Sequence, residues 1–259
     1  KWIIKKRVDK ESEEPHAGLL PPGYSAEHLG PNDYYYWDDM WSVSGLNAAA
    51  DMLEEFGEPD KSKQYREEAE NLLKSIEKSL AKTENRLSTK VMPSSPYRRL
   101  DSACVGSLVG GYPLQLWKKK DPRLTLTCDY LYENCLVKGG FFHDITHSGI
   151  NPYLTLHIAQ VMLRSGDQRF QGLVEKIGDL ASSTGQWPEA INPRTEGGCM
   201  GDGQHIWAAA EWVLMIENCF VYEEEKEDKL IIGAGVSPDF LLTGEEAEIG
   251  PVLTSYGTV

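Results

Sequence analysis

Between residues 38 and 57 apolar side chains recur at Met40, Val43, Leu46, Ala50 and Leu53, three or four positions apart, which is the spacing of one helix face. Gly57 and Pro59 close the run, because glycine accepts the turn after a helix and proline does not continue one. Asp60 opens a second helix to about residue 82, in which Tyr65, Ala69, Leu72, Leu73 and Ile76 form one apolar stripe against a Glu/Lys-rich face. Such a helix belongs on the outside of a packed pair. The segment 101–117 is small and apolar, and Lys118 to Lys120 place positive charge where the helix dipole favours it. Asp121-Pro122 starts the next helix, running to about residue 136 before Gly139-Gly140. Helices over 151–164 and 167–182 turn at Ser165-Gly166, and a last helix covers 204–221.

The order repeats as an apolar helix, a tight turn, a more charged helix and a long loop rich in glycine, aromatics and histidine. Asp121-Pro122 and Asp167-Gln168 lie 46 residues apart, as do Gly139 and Gly185, so the chain reads as stacked helical hairpins. The long loops at 15–37, 83–100, 137–150 and 183–203 mark the functional face. Beyond Lys229 the pattern changes to Leu230-Ile231-Ile232, Leu241-Leu242 and 249–259 with turn residues between, a β-type tail. The expected organisation is all-α, with a helical-hairpin domain over 1–228 and a short β-rich tail over 229–259 that opens a further β domain.

At 259 residues, with 41% hydrophobic and 25% charged residues, the composition is that of a folded chain. A net charge of −14 argues against nucleic acid and membrane surfaces, which attract basic patches. No window approaches the roughly 18 consecutive apolar residues of a spanning helix. Cys104, Cys128, Cys135, Cys199 and Cys219 form no C-x-x-C pair and read as free thiols; a cytoplasmic location is slightly favoured. The first residue is not Met, so both ends read as cuts in a longer protein.

The loop 27–41 gathers five aromatics, Tyr34, Tyr35, Tyr36, Trp37 and Trp41, beside four acids, Glu27, Asp33, Asp38 and Asp39. Flat rings match the apolar faces of sugars, and carboxylates match hydroxyls and glycosidic oxygens. The same residues also suit a packed loop in which Asp38 or Asp39 caps the following helix. In the loop 183–203, Trp187-Pro188-Glu189 puts an acid behind a proline that fixes the backbone, as a catalytic base or as a solvated glutamate. Arg98, Arg99 and Asp101 either read hydroxyls or pair with neighbouring charges. His143 and His147 are spaced H-x-x-x-H but sit among glycines without a third ligand, so no metal is expected; a sugar contact from His147 fits better. No phosphate-cradling or dinucleotide fingerprint is present, and no cofactor is expected.

Through Ala17-Gly18-Leu19-Leu20-Pro21-Pro22-Gly23, Glu27-His28-Leu29-Gly30, Tyr36-Trp37-Asp38-Asp39-Met40-Trp41, Gln186-Trp187-Pro188-Glu189 and the segment 203–212, the chain resembles the six-hairpin glycosidases, the glucoamylase-like inverting glycoside hydrolases. The resemblance implies an (α/α) toroid of helical hairpins with two carboxylates on opposite long loops. It makes Glu27 the general acid and Glu189 the general base, and it makes the tail the start of the β domain that often follows such barrels. Tyr35, Trp37, Trp41 and Trp187 would hold the sugar ring, with Asp38, Asp39, Arg99, Asp101 and His147 as further substrate contacts.

Two departures qualify it. About seven strong helices are read where the full toroid has twelve, so the chain resembles the C-terminal part of a barrel, completed by missing N-terminal chain or by a homo-oligomer. Asp38 and Asp39 also compete with Glu27 as the acid. The implied activity is hydrolysis of a glycosidic bond in a carbohydrate substrate, an α-glucoside or oligosaccharide. The alternatives are a disaccharide phosphorylase, with His147-Ser148-Gly149 and an arginine holding phosphate, and a carbohydrate-binding toroid without catalysis.

Overall fold

The computed structural model describes every residue except Lys1, Asp9, Ala26, His28 and His147, and the backbone but not the side chains of Pro238 and Leu241. The chain divides into two compact units, one of residues 1–116 with 122–130 and the other of residues 117–121 with 131–259.

The first unit begins with α1 (Trp2–Lys6), followed by α2 (Tyr36–Glu55) and α3 (Pro59–Leu87). Gly57, at φ +73°, makes the turn, and Pro59 occupies the first turn of α3, where its missing N–H costs nothing. The two helices pack along the apolar faces expected from the sequence, with Met40, Val43, Leu46 and Ala50 meeting Ala69, Leu72, Ile76 and Leu80 in the core. The buried Tyr36 hydroxyl shares hydrogen bonds with Ser79 and Thr83 of α3, at 2.8 and 3.1 Å, which fixes where α2 begins. The segment before α2 is strapped to α3 by Arg7. Its buried guanidinium pairs with Glu68 and donates to the Gly18 carbonyl and the Ser75 hydroxyl.

The segment 101–117 departs from the expected α-helix. It forms a 3-10 helix over Ser102–Gly110, with all nine residues buried. Its tight winding suits close packing: a Cβ on Gly106 would stand 2.4 Å from the Leu29 side chain, so only glycine lets that loop approach. The helix α4 (Pro122–Asn134) starts in the first unit, where the Thr127 hydroxyl accepts from the Met92 N–H at 2.9 Å, and ends in the second.

In the second unit α5 (Pro152–Ser165) and α6 (Phe170–Asp179) form a hairpin, and α7 (Ile206–Phe220) packs on α5. Asn151 caps α5 by accepting the Leu154 N–H at 2.8 Å, and Gly166 ends it in the left-handed region. The hairpin α5/α6 therefore follows the sequence reading closely. The loops 137–150 and 183–203 do not stay irregular. They supply most of an antiparallel sheet of five short strands in chain order: β1 (Leu136–Val137), β2 (Gly140–His143), β3 (Gly149–Ile150), β4 (Ala190–Ile191) and β5 (Gly198–Met200). Ile150 pairs with Ile191, which ties the two loops together.

The tail begins earlier than its hydropathy suggests. The hairpin β6 (Val221–Glu224) and β7 (Lys229–Ile232) follows α7 directly. Leu241-Leu242, read as β-type, instead belongs to a short helix, α8 (Pro238–Thr243), capped by Ser237. A final hairpin pairs β8 (Leu253–Thr254) with β9 (Gly257–Thr258).

Candidate functional site

The acids of the first unit gather at the start of α2. Its N-cap is Tyr35, which makes no side-chain cap, so Asp38 and Asp39 lie inside the first turn rather than capping it. A carboxylate there interacts favourably with the positive end of the helix dipole, yet burial acts in the opposite direction. Asp39 is 1% exposed. One of its oxygens accepts the Leu20 N–H at 2.8 Å, and the other has no partner among the described residues. Burial pushes its pKa up to about 8; the Leu20 N–H and Arg7 oppose the rise, and Asp38 adds to it. Asp39 is therefore largely protonated at neutral pH. Asp38 is half-buried, and loss of solvent raises its pKa to about 6.

Around this pair stand Trp37, which is buried, and Trp41, which is 42% exposed, with ring centroids 6.0 Å apart. The Tyr35 hydroxyl donates to the Pro31 carbonyl. Burial pushes its pKa to about 12; Arg98 opposes that rise, while Asp33, Asp101 and Asp38 reinforce it. Five groups from two stretches of sequence, 33–38 and 98–101, thus share one electrostatic neighbourhood. Ser95 holds Asp33 through its hydroxyl at 2.8 Å. Asp101 caps the 3-10 helix through the Ala103 N–H at 3.1 Å and accepts from Arg98 at 3.3 Å.

Arg98 is the cation of this cluster, and sequence reasoning chose its neighbour. The side chain of Arg99 is 87% exposed and lies 3.8 Å from Asp101. Arg98 packs beneath Gly30, where a Cβ would come within 2.7 Å of its guanidinium. Nothing in an irregular loop distinguishes the facing of two adjacent arginines, because no helix or strand period applies there. Glu27 is buried in the turn that leads to Leu29.

In the second unit Glu189 is half-buried in the bend immediately before β4. Gly201, at φ +78°, folds over it so closely that a Cβ would lie 3.0 Å from the Glu189 Cβ and 3.1 Å from its backbone nitrogen. Trp187 is buried, donates its indole N–H to the Ile177 carbonyl at 2.8 Å and stacks obliquely on Trp212 at 5.3 Å. Its ring is thus spent on the hairpin interior. Its carbonyl accepts the His205 N–H at 2.8 Å, which brings the start of α7 beside the Glu189 loop. There Trp207, 49% exposed, lies 5.1 Å from the Tyr153 ring and 6.1 Å from His205. Tyr153 and His205 were not singled out from the sequence, although their positions at the starts of two apolar helices were readable.

His143 is buried on β2 with its ring edge against Phe141; His147 lies outside the described residues. His157, fully buried on α5, has its pKa lowered to about 4 by burial and stays neutral. Among the described residues no three His, Cys, Asp or Glu side chains are placed to hold a metal ion.

No protein-family model and no curated protein matches the chain. Among solved structures it is similar to a wild-type glycosidase, with a TM-score of 0.51 and 14% identity over 76% of this chain and 54% of that one. A glutamate-to-alanine glycosidase variant in complex with glucose gives a TM-score of 0.52 and 14% identity over 76% and 55%. A bacterial glucoamylase complexed with acarbose gives 0.50 and 16% over 71% and 33%. The chain spans about half the length of the glycosidases it matches. It therefore has the helical-hairpin fold of glycosidase and glucoamylase structures, as the motifs of its two long loops imply.

Proposed function

We propose that this chain carries catalytic residues of a glycoside hydrolase that cleaves a glycosidic bond with inversion. The observation that carries the reading is the acidic, aromatic-flanked cluster at the start of α2, in which burial raises the half-buried Asp38 carboxyl to about 6, on a fold shared with glycosidases. An inverting enzyme needs one carboxylic acid to protonate the departing oxygen and one carboxylate to activate water on the opposite face of the sugar. Glu189 is the base on this reading. It stands in a loop pinned by Trp187 and covered by Gly201, and such pre-organisation lets a base act without rearrangement. The resemblance makes Glu27 the acid. The substrate class is an α-glucoside or oligosaccharide, supported by neighbours solved with glucose and with acarbose.

A second assignment of the acid has an observation of its own. Asp38 is half-buried with its pKa raised to about 6, the condition of a carboxyl that keeps its proton for delivery, whereas Glu27 is buried. Leaving-group dependence separates the two. Removing the acid lowers cleavage of a disaccharide by about 10²- to 10⁴-fold and spares a glycosyl fluoride, whose departure needs no proton. Glu27→Gln with that signature supports Glu27, and Asp38→Asn with it transfers the role to Asp38. Equal loss on both substrates in both variants would remove each from the acid's role. If Asp38 is the acid, activity declines as pH rises through about 6, since the protonated form is the active one.

A further inference from the structure

Arg7 lies outside the loops that carry the candidate chemistry, yet its guanidinium is buried, with the side chain 1% exposed. Every nitrogen of the group is engaged. On one side Nη1 pairs with Glu68 of α3, and Nη2 donates to the Ser75 hydroxyl at 2.9 Å and the Asn71 carbonyl at 3.2 Å. On the other side Nε donates to the Gly18 carbonyl at 2.6 Å. Gly18 sits at φ +76°, where a Cβ would stand 2.4 Å from the Ser75 Oγ, so glycine is needed for the chain to pass this close to α3.

The contact runs on toward the acids of α2. The Val8 N–H donates to the Leu19 carbonyl at 2.8 Å, which pairs the two stretches one residue further along, and Leu19 itself is fully buried. The next N–H, that of Leu20, donates to Asp39 Oδ1 at 2.8 Å. A continuous line of contacts thus joins α3, Arg7, residues 18–20 and the first turn of α2. Stability alone is a poor reason for it, because a buried ion pair often holds a fold no better than apolar side chains of similar volume. What arginine adds is geometry: its planar fork fixes several acceptors at once.

We propose that Arg7 is a positioning residue for the acidic cluster, holding residues 18–20 against α3 so that the Leu20 N–H fixes the Asp39 carboxyl in place. The kinetic part of the proposal rests on the reading that this cluster serves a glycoside hydrolase. The electrostatics agree with the geometry. Burial raises the Asp39 pKa; the Leu20 N–H and Arg7 oppose the rise, Asp38 adds to it, and Tyr36 feels the Asp39 charge from the same turn. Both restraining influences therefore pass through Arg7, one as its own charge and the other as the N–H it sets.

The test follows the Leu20 amide by NMR across the Asp39 titration and, in parallel, kcat/KM on a disaccharide. An amide that donates to a carboxyl reports that group's titration in its own shift, and Asp39→Asn, which cannot titrate, marks the signal. Arg7→Met/Glu68→Leu replaces the ion pair with apolar side chains. Arg7→Lys keeps the charge without the fork, and Ile76→Val is a control in the buried face of α3. The double variant should lose the Leu20 titration and about 10- to 100-fold in kcat/KM, with Tm within about 4 °C of the parent. Arg7→Lys should fall between, and it carries the same readouts where the double variant does not fold; Ile76→Val should behave as the parent. A double variant that keeps the Leu20 titration overturns the proposal, as does one that loses it with kcat/KM unchanged. Loss of activity in Ile76→Val to the same degree also overturns it, since the effect would then be one of packing. A parent that cleaves no disaccharide defeats the hydrolase reading instead, and the Leu20 titration still decides whether Arg7 sets Asp39.

Discussion

Asp39 is held out of water at the start of α2, with one oxygen on the Leu20 N–H and the other unpartnered among the described residues. Because its pKa rises from 3.8 to about 8 on folding, the folded state holds a proton that the unfolded chain releases. Its stabilising contribution is complete below about pH 4 and is lost as pH climbs toward 8, by at most about 1.4 kcal/mol per pH unit. Asp39→Asn keeps the shape without the titration. Denaturant midpoints at pH 5 and pH 8 should show the variant gaining on the parent as pH rises, and a constant difference would show that Asp39 folds ionised. Arg98 and Arg99 supply a second contrast: Arg98→Ala should cost about 1–3 kcal/mol, since it strips Asp101 of its nearer cation and empties the space below Gly30. Arg99→Ala should stay within about 0.5 kcal/mol, and equal effects would undo the distinction. Residue types were legible in the sequence here, and which of two adjacent arginines faces inward was not.

At the scale of elements, periodicity located the helices, whose apolar positions survive almost unchanged as the core of α2, α3, α5 and α6. It failed where backbone geometry rather than face decided the outcome. The segment 102–110 is a 3-10 helix because small residues allow Leu29 to press on Gly106, and a hydropathy pattern does not register that proximity. The five-strand sheet escaped notice because its strands are two to four residues long, too short to show alternation. That sheet is nevertheless what sets Glu189. Gly201→Ala forces an unfavourable positive φ and crowds Glu189, so kcat should fall about 10- to 100-fold through misplacement with KM within two-fold. An unchanged kcat would release Glu189 from this geometry. Trp187 in the Glu189 loop and Trp207 at the start of α7 are expected to divide their labour. Trp187→Phe removes the bond to Ile177 and should cost stability, about 0.5–1.5 kcal/mol, with little effect on KM. Trp207→Ala should raise KM and leave the melting temperature close to the parent's; the reverse pattern would exchange their roles.

For the whole molecule, the sequence was sufficient to recognise stacked helical hairpins, and the solved glycosidases share that fold. The motif resemblance carried more functional content than composition or spacing, which left the aromatic loop open between a sugar site and a packed turn. The structure sharpens the first unit into a cluster of Asp33, Tyr35, Asp38, Arg98 and Asp101 and shows Trp187 as interior packing. The central claim is hydrolysis with inversion, driven by Glu189 as base. The most direct measurement is a proton NMR time course on a panel of α-glucosides and oligosaccharides, reading the anomer first released by the parent and by Glu189→Gln. The account predicts a β-configured sugar from an α-linked substrate, and loss of turnover in the variant with substrate binding retained. Release of the α anomer, or a Glu189→Gln variant that keeps near-parental turnover, would contradict it.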